Sequence, residues 1–372
     1  MDDVIGNGPP QQEDEDRAAA LAERLFDAAV DAFDLASVYI GDRLGLYRDL
    51  AASGASTSAE LGARSGVHER YAREWLEQQA VTGILDVDDP GLPAGERRYT
   101  LPGPHAEALT DLDNMNSVSP LGRTVVSSIQ TLPSILDAFR SGGGVPWTAY
   151  GADMIESQGD FNRAWLREML GSTYLPSIPD VHARLLADPP ARVVDVACGV
   201  GWASIAVARA YPNVRVDGFD PDPSSIDIAR RLAEEEGLAD RVRFEVRDAA
   251  TLGDEAPYDV AIVIEAIHDL SAPVEVLAGI RRALAPDGTL IVADERVAES
   301  FVAPADVVER FMYGVSVLVC LPSGLDERPS AGTGTVMRPD TLRRYASEAG
   351  FARVGILDQI EHDFLRFYRL DP

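Results

Sequence analysis

The chain has 372 residues, which is enough for two domains with a sizeable core. Aspartate and glutamate number 61 against 33 lysines and arginines, and the resulting net charge of −28 disfavours nucleic acid and anionic membranes as partners. The two cysteines, Cys198 and Cys320, are too few for a disulfide framework. We find no apolar run long enough to cross a bilayer and no signal-peptide pattern, so we expect a cytoplasmic protein without a membrane partner.

The N-terminal part of the chain begins with an acidic stretch and continues as helix. Residues 1–16 contain two prolines and the run Glu13 to Asp16, a composition that predicts a disordered tail. From residue 17 to Leu50, apolar residues recur at mostly helical spacing. Such an apolar helical segment either packs into a core or forms the seam of a homodimer.

Residues 56–101 have the order of elements that is typical of a winged helix. Thr57 and Glu60 can form a capping box at the start of one helix, a second helix follows Gly66, and two short strands then flank a loop rich in proline and glycine. A winged helix can read DNA. Here the arginines of the second helix lie among glutamates, and phosphate contacts dominate DNA affinity, so we expect no nucleic-acid partner.

The segment 104–190 is predicted to be mainly helical, with one interruption at residues 141–147. Three glycines and a proline in this stretch cannot easily continue a helix, so it forms a loop, and Trp147 and Tyr150 stand at its end. Aromatic residues beside flexible glycines suit a lid over a ligand. A hinge with two core aromatics explains the pattern equally well.

From Ala191 onwards, predicted strands and helices alternate, which indicates a parallel sheet with helices on both faces. The predicted strands are residues 192–197, 214–219, 242–246, 259–264 and 288–294. The last twenty residues or so contain two further β segments that would form a closing antiparallel hairpin.

The centre of this part is a short buried strand that runs into the turn Gly199-Val200-Gly201 and then into a helix. Glycines allow the backbone to approach a ligand, and the helix N-terminus attracts electron-rich groups. The dinucleotide fingerprint would require glycine or alanine at position 204, which is Ser204, so the match to a nicotinamide or flavin site is incomplete. Asp220 ends the next predicted strand, where a carboxylate can accept hydrogen bonds from two ribose hydroxyls.

The ordered series DVACGVG, GFD and RDA resembles the cofactor site of class I S-adenosylmethionine-dependent methyltransferases. The segments GLYRDLA, ERYAREWL, FRSGGGVPW, EAIHDLSAPVEVL and FLRFYRL extend the similarity to mycobacterial winged-helix methyltransferases and, more distantly, to small-molecule O-methyltransferases. The resemblance implies an α/β fold: a Rossmann-like methyltransferase domain with a mostly parallel seven-stranded sheet and an N-terminal α-helical winged-helix domain. We expect a winged-helix and dimerisation domain at 17–110, a helical linker and lid at 111–180, and an S-adenosylmethionine-binding domain at 181–372.

The resemblance also implies which residues hold the cofactor. Gly199, Gly201 and Asp220 belong to the motif itself. Asp195 would anchor the glycine loop and the methionine amino end. Asp248 and Ala249 would contact the adenine, and Glu265 would lie beside the methionine moiety or contact the substrate.

In the related O-methyltransferases a histidine that follows the fourth strand is the catalytic base, and the matching residue here is His268. A histidine has a near-neutral pKa that suits proton removal, although it could equally cap or pack the strand end. Either Asp294 or Glu295 would orient it. Trp147, Tyr150, Phe311 and Met312 are candidates for the substrate-pocket wall, or for the core.

The sequence therefore predicts methyl transfer from S-adenosylmethionine to a small-molecule metabolite, with O-methylation and His268 as general base as the main hypothesis. Nothing in the sequence completes a metal constellation around Asp294 and Glu295, so we expect a metal-independent enzyme. N- or C-methylation and a non-methylating reaction on the same scaffold remain alternatives. A winged-helix regulator that senses the cofactor is a more distant one, and the acidity of the chain argues against it.

Overall fold

The computed structural model describes residues 10–253 and 257–372. The described chain forms two compact units, the first ending at Val126 and the second spanning Ser127–Pro372. The division after residue 110 and after residue 180 stays a prediction.

The first unit is helical and contains a small β ribbon. Its elements are α1 (Pro10–Arg43), α2 (Leu46–Ser53), α3 (Ser58–Ser65), α4 (Glu69–Val81), β1 (Asp86–Val87), β2 (Tyr99–Thr100) and α5 (Gly103–Thr110), followed by α6 (Pro120–Gln130), which contains the boundary. The predicted capping box is present: Thr57 caps α3 and Glu60 binds back to the Thr57 backbone. Because β1 and β2 pair antiparallel after α3 and α4, the winged-helix prediction is confirmed.

The prediction of a disordered acidic tail over residues 1–16 is wrong for residues 10–16. The helix α1 already begins at Pro10, so residues 10–16 are helical, while residues 1–9 lie outside the described part of the chain. Proline is well suited to a first helical position, because its fixed φ is helical and it needs no N–H partner there. The alanine- and leucine-rich sequence beyond residue 17 then extends the helix without a break.

The second unit begins with helical elements: α7 (Leu132–Ser141), a 3₁₀ turn (Trp147–Tyr150), α8 (Gly151–Trp165), a π-helical segment (Leu166–Tyr174), a further 3₁₀ turn (Leu175–Ser177) and α9 (Pro179–Leu186). Strands and helices then alternate as predicted: β3 (Arg192–Val196), α10 (Trp202–Ala210), β4 (Arg215–Asp220), α11 (Pro223–Glu235), β5 (Val242–Val246), β6 (Tyr258–Ile264), α12 (Pro273–Ala283) and β7 (Leu284–Glu295). The C-terminal elements are α13 (Val307–Val315), a π-helical segment (Ser316–Cys320), α14 (Leu321–Gly324), α15 (Pro339–Glu348), β8 (Arg353–Ile356) and β9 (Leu365–Asp371).

The seven strands β3–β9 form one sheet in the order β5-β4-β3-β6-β7-β9-β8. The first five are parallel, and β9 runs antiparallel to both β7 and β8, as the predicted closing hairpin requires. Consecutive residues of one strand face opposite sides: Val193 packs into the cluster with α10 and α11, and Val194 into the cluster with α12 and α15. The strand order reverses between β3 and β6, and ligands of such sheets bind at the strand ends beside this point.

One apolar helical stretch corrects an expectation from the sequence. The 18 residues Val307–Gly324 are long and apolar enough, by length and composition, to cross a membrane. About 39% of this stretch is buried inside the protein, and its Glu309 is a buried residue paired with Arg338 at 2.7 Å. A packed face and a buried ion pair are typical of a helix in a protein core, and such a helix can be as long and as apolar as one that crosses a membrane.

Candidate active site

The glycine turn after β3 has the compact form that its sequence predicts. Ala197, Gly199 and Gly201 all have positive φ angles of 54°, 51° and 86°, and α10 begins directly after Gly201. A Cβ atom on Gly201 would lie 2.5 Å from the Phe244 ring, so only glycine fits. The N-terminus of α10 therefore stands at the carboxyl end of β3, beside the point where the strand order reverses.

Asp220 at the end of β4 is tied to this turn. Its two carboxylate oxygens accept hydrogen bonds from the backbone N–H groups of Gly199 and Asp222, each at 2.9 Å. Burial raises the pKa of Asp220, and the two backbone donors act in the opposite direction. The carboxylate is thus fixed in place between the ends of β3 and β4.

Asp195 lies inside β3 and is buried. Its Oδ2 accepts a hydrogen bond from the Ser204 hydroxyl of α10 at 2.7 Å, and burial raises its pKa to about 7. The pair joins the strand before the turn to the helix after it. Sequence reasoning noted Ser204 only as a mismatch to the dinucleotide fingerprint, although a hydroxyl at that position was itself the signal for this partner.

Asp248 and Ala249 stand at the end of β5, as predicted. The Asp248 carboxylate accepts a hydrogen bond from the Ala250 N–H at 2.8 Å and caps a short 3₁₀ turn, while Ala249 is buried. Their contact with an adenine stays a prediction.

Glu265, directly after β6, has an unusual backbone and two side-chain donors. Its φ is 51°, a left-handed conformation that is uncommon outside glycine and asparagine, and its N–H donates to the Ala293 carbonyl at 2.8 Å. Its Oε2 accepts hydrogen bonds from the Asn162 and Gln158 side-chain amides of α8, the latter at 3.1 Å. Burial raises the pKa of Glu265 to about 7. Sequence reasoning missed both amides.

His268 and Asp294 form a buried pair at the ends of β6 and β7. The His268 Nδ1 lies 2.8 Å from Asp294 Oδ1, and the two residues are 2% and 1% exposed. Asp294 Oδ1 also accepts the Glu295 N–H at 3.0 Å. Of the two acids that the sequence left open, Asp294 is therefore the one that hydrogen-bonds the histidine ring.

Three acidic side chains surround His268, and burial raises the pKa of two of them, Asp269 and Glu295. Burial opposes protonation of the ring, but the nearby carboxylates of Asp294, Asp269 and Glu295 outweigh it and raise the pKa of His268 well above 6.5. The site therefore favours the protonated ring. Within the described residues, Asp269 Oδ1, Asp294 Oδ2 and Glu295 Oε2 are buried atoms without a hydrogen-bond partner.

Two groups of side chains have the composition of a metal site. His268 belongs to both, once with Asp269 and Cys320 and once with Asp294 and Glu295, and within each group the ligand atoms lie within 4.8 Å of one another. The sequence analysis expected one of these two acids to orient the histidine, but it did not expect His268 to complete a group with the composition of a metal site. The distance of 2.8 Å between Nδ1 and Oδ1 is that of a hydrogen bond.

The four candidates for the pocket wall lie on two segments, Trp147 and Tyr150 on a 3₁₀ turn and Phe311 and Met312 on α13. Trp147 and Tyr150 pack on each other with ring centroids 5.9 Å apart, and the Tyr150 hydroxyl donates to the Leu318 carbonyl at 2.9 Å. That carbonyl belongs to the π-helical segment which ends at Cys320, beside His268. On α13, Phe311 is 40% exposed whereas Met312 is buried, so these two neighbours do not face the same environment.

The comparisons with known proteins agree with this architecture. Residues 187–324 match the model of a methyltransferase domain, and residues 34–111 match an Rv2258c-like winged helix-turn-helix domain. The chain therefore has, in this order, one region similar to a winged helix-turn-helix domain and one similar to a methyltransferase domain. The predicted family resemblance and fold class are confirmed.

Similar proteins differ in what they act on. Trans-aconitate 2-methyltransferase of Methylobacterium nodulans is 34% identical over 113 residues, which are 30% of this chain and 42% of that protein, so the chain spans under half the length of this relative. Human N-acetylserotonin methyltransferase in complex with S-adenosylmethionine has a TM-score of 0.69 at 18% identity, with 99% of both chains covered. The mitomycin 7-O-methyltransferase MmcR has a TM-score of 0.65 at 22% identity, with 96% of this chain and 99% of that one covered. At these identities the two structures show a shared fold.

Proposed function

We propose that this protein transfers a methyl group from S-adenosylmethionine to a small-molecule metabolite, by O-methylation with His268 as general base. The observation that carries the proposal is the buried His268–Asp294 pair at the ends of β6 and β7. It lies on the strand pair that adjoins the glycine turn and Asp220, at the edge where such sheets bind ligands.

The residues at the ends of β3, β4 and β5 fit the cofactor. We assign Asp220, which two backbone N–H groups hold in place, to the ribose hydroxyls, and Asp248 with Ala249 to the adenine. Gly199 and Gly201 leave room beside the helix N-terminus. When bound, the cofactor supplies an electrophilic methyl group on a sulfonium. Asp195 fixes the turn from behind through Ser204.

The acid–base chemistry would be carried by His268. The site favours the protonated ring, which becomes a base only after it loses this proton. Asp294 then holds the remaining proton on Nδ1, and Nε2, which lies 3.5 Å from Asp269 Oδ1, is the ring atom left to accept the proton of a hydroxyl acceptor. The surrounding carboxylates stabilise the imidazolium that forms again. We therefore expect the rate to rise with pH through a pKa above that of an ordinary histidine.

An amine acceptor is a second candidate, favoured by one observation. The three carboxylates around His268 include buried oxygens without partners, and a cationic amine would supply both charge and donors. An amine that attacks as its free base needs less help from His268. Incubation with labelled S-adenosylmethionine and an extract of the host, followed by identification of the product, distinguishes O-methylation from N-methylation. An enzyme that transfers no label to any small molecule would contradict the proposal.

We further propose that two copies associate through α1 and that the enzyme works in the cytoplasm. The helix α1 presents exposed apolar side chains, with Phe26 at 70% and Phe33 at 75% exposure, while Trp75 of α4 bonds to its Ser37 carbonyl. A charged residue at both phenylalanine positions, Phe26→Glu with Phe33→Glu, should yield a folded monomer in light scattering. A wild-type monomer at micromolar concentration would contradict the dimer.

Nucleic acid is not a proposed partner. On α4 the two arginines are each paired with a glutamate of the same helix, Arg70 with Glu74 and Arg73 with Glu69. These pairs remove much of the positive charge that phosphate contacts need. A gel-shift assay with random genomic DNA should show no complex.

A further inference from the structure

The Nε2 side of the His268 ring faces two side chains of metal-binding types that the proposed function leaves unused. Asp269 Oδ1 lies 3.5 Å from Nε2, and Cys320 completes a group whose ligand atoms lie within 4.8 Å of one another. On the opposite side of the ring, Nδ1 is engaged by Asp294 at 2.8 Å. An imidazole nitrogen, a thiol and a carboxylate thus meet at one point.

The spacing on the Nε2 side is not that of a strong hydrogen bond. A charged N–H donor and a carboxylate are usually about 2.7–2.9 Å apart, as His268 and Asp294 are. Asp269 Oδ1 stays at 3.5 Å and is a buried atom without a hydrogen-bond partner among the described residues. Two ligands of a tetrahedral zinc ion, each roughly 2.0–2.2 Å from the metal, stand about 3.4 Å apart. Nε2 and Oδ1 therefore have the separation of two zinc ligands.

Cys320 brings the third ligand from another part of the second unit. It ends the π-helical segment Ser316–Cys320 and is buried. Burial raises the pKa of its thiol to about 12, and the neighbouring hydroxyl of Thr335 acts in the opposite direction. Thr335 is fully buried, and its Oγ1 has no hydrogen-bond partner in the described part of the chain. This hydroxyl is therefore free to donate to a thiolate on a metal, as the outer partners of metal ligands do.

The donor set identifies the class of ion. Thiolate and imidazole ligands favour Zn²⁺ and similar soft ions, whereas Mg²⁺ prefers oxygen ligands and keeps several waters. Three protein ligands leave the fourth position of a tetrahedral zinc ion to water. The acidic side chains around His268 also favour a cation over a neutral ligand.

We propose that His268 Nε2, Asp269 Oδ1 and Cys320 Sγ together bind Zn²⁺, and that the bound ion inhibits methyl transfer. On binding, Zn²⁺ displaces the protons of Nε2 and of the thiol, and both protons pass to the solvent. The ion then occupies the ring nitrogen that accepts the proton of the methyl acceptor. The inhibition rests on the proposed function, whereas the metal site does not. The ion is an inhibitor and not a cofactor, so the metal-free enzyme is the active form.

The metal site is tested on the full-length protein, prepared without metal, with Co²⁺ as a spectroscopic substitute for Zn²⁺. A thiolate ligand gives Co²⁺ an intense charge-transfer band in the near ultraviolet, and we expect this band in the wild type. Cys320→Ser should abolish the band and weaken Zn²⁺ binding in calorimetry by about a hundredfold, since even outer partners of metal ligands contribute roughly 10–100-fold. Cys198→Ser removes the other buried cysteine and, as the matched control, should keep both the band and the affinity.

Inhibition is measured as the ratio of label transfer with and without Zn²⁺, from labelled S-adenosylmethionine into a host extract freed of metal ions. The ratio removes any change in the basal rate of a variant. The wild type and Cys198→Ser should lose turnover once Zn²⁺ saturates the site, and a chelator should restore the starting rate. Cys320→Ser and Asp269→Asn should require about tenfold more Zn²⁺ or higher for the same inhibition. Thermal unfolding is recorded for each variant, and Asp269→Asn, at a half-buried position, decides the matter if Cys320→Ser folds poorly.

The outcomes separate the metal site from the proposed function. A wild-type protein without the thiolate band, or a band that Cys198→Ser removes and Cys320→Ser does not, overturns the metal site and leaves the methyltransferase proposal standing. Zn²⁺ that binds through Cys320 without lowering turnover overturns the inhibition. If the metal-free protein transfers no label, the proposed function fails and the inhibition with it, while the cobalt spectra still decide the metal site.

Discussion

The acidic residues at the ends of β3 and β4 differ from those at the ends of β6 and β7 in how their oxygens are hydrogen-bonded. Asp195 and Asp220 receive donors from their own chain, a hydroxyl in one case and two backbone N–H groups in the other. Around His268, oxygens of Asp294 and Glu295 are buried without a partner among the described residues. A buried polar atom costs free energy until a partner satisfies it.

This difference indicates how the two halves of the site work. The half at β3 and β4 is preorganised, as suits a cofactor that is the same in every turnover. The half at β6 and β7 gathers acidic side chains around His268, and some of their buried oxygens have no donor among the described residues. Changes at His268 should therefore affect turnover, and changes at Asp220 should affect cofactor affinity.

The largest effect is expected for His268→Ala. Loss of a general base should lower turnover by roughly 10²–10⁴-fold, while the affinity for S-adenosylhomocysteine changes little, since the base acts on the acceptor. Steady-state rates and calorimetry on the same sample measure the two quantities. His105→Ala, at an exposed position of the first unit, is the matched control. Full turnover in a folded His268→Ala protein would mean that the histidine is structural.

Asp220→Ala should weaken cofactor binding at the ends of β3 and β4. We expect a loss of about 1–3 kcal/mol in the binding free energy of S-adenosylhomocysteine, the scale of a lost hydrogen bond to a charged group. Asp227→Ala, on the exposed face of α11, should leave binding unchanged. If the wild-type protein bound NAD tightly and did not respond to S-adenosylhomocysteine, the assignment of this half would be wrong.

Asp195 should make stability depend on pH. Its pKa is raised from 3.8 to about 7, so the folded state holds a proton that the unfolded state has lost between these values. The free energy of unfolding should therefore fall as the pH rises from about 4 to about 7. Asp195→Asn, whose amide oxygen can still accept from Ser204, should flatten that slope in urea titrations at a series of pH values. An unchanged slope would mean that Asp195 is already ionised in the folded protein.

The smallest effect is expected from metal removal. The Asp294 oxygen that faces Nδ1 is at hydrogen-bond distance, so we expect turnover to be the same before and after treatment with a chelator. A loss of activity that Mg²⁺ or Zn²⁺ restores would show instead that one of the two ligand groups around His268 holds an ion.

Much of the half at β3 and β4 could be predicted from the sequence, because the residues that indicate it are close together in the chain. The strand, the two glycines and Asp220 lie within 29 residues, and strand alternation fixes how they meet. The position of His268 past a strand end was predictable in the same way. The choice between Asp294 and Glu295 was not, since neighbouring residues of a strand face opposite sides and the sequence does not say which side holds the ring.

The contacts between distant segments could not be predicted. Asn162 and Gln158 meet Glu265 across more than one hundred residues, and no period or motif links them. The early start of α1 was missed for a different reason: acidic composition suggested disorder, although a proline followed by helix-forming residues is also a sound helix start.

The most direct test is the titration of the His268 ring, followed by NMR on protein with ¹⁵N-labelled histidine, in the wild type and in Asp294→Asn. The carboxylates around the ring should keep it protonated well above pH 6.5 in the wild type, and the pKa should fall in the variant. A wild-type ring that is neutral at pH 6.5, or a pKa that Asp294→Asn leaves unchanged, would contradict the view that this half of the site is organised around a buried imidazolium.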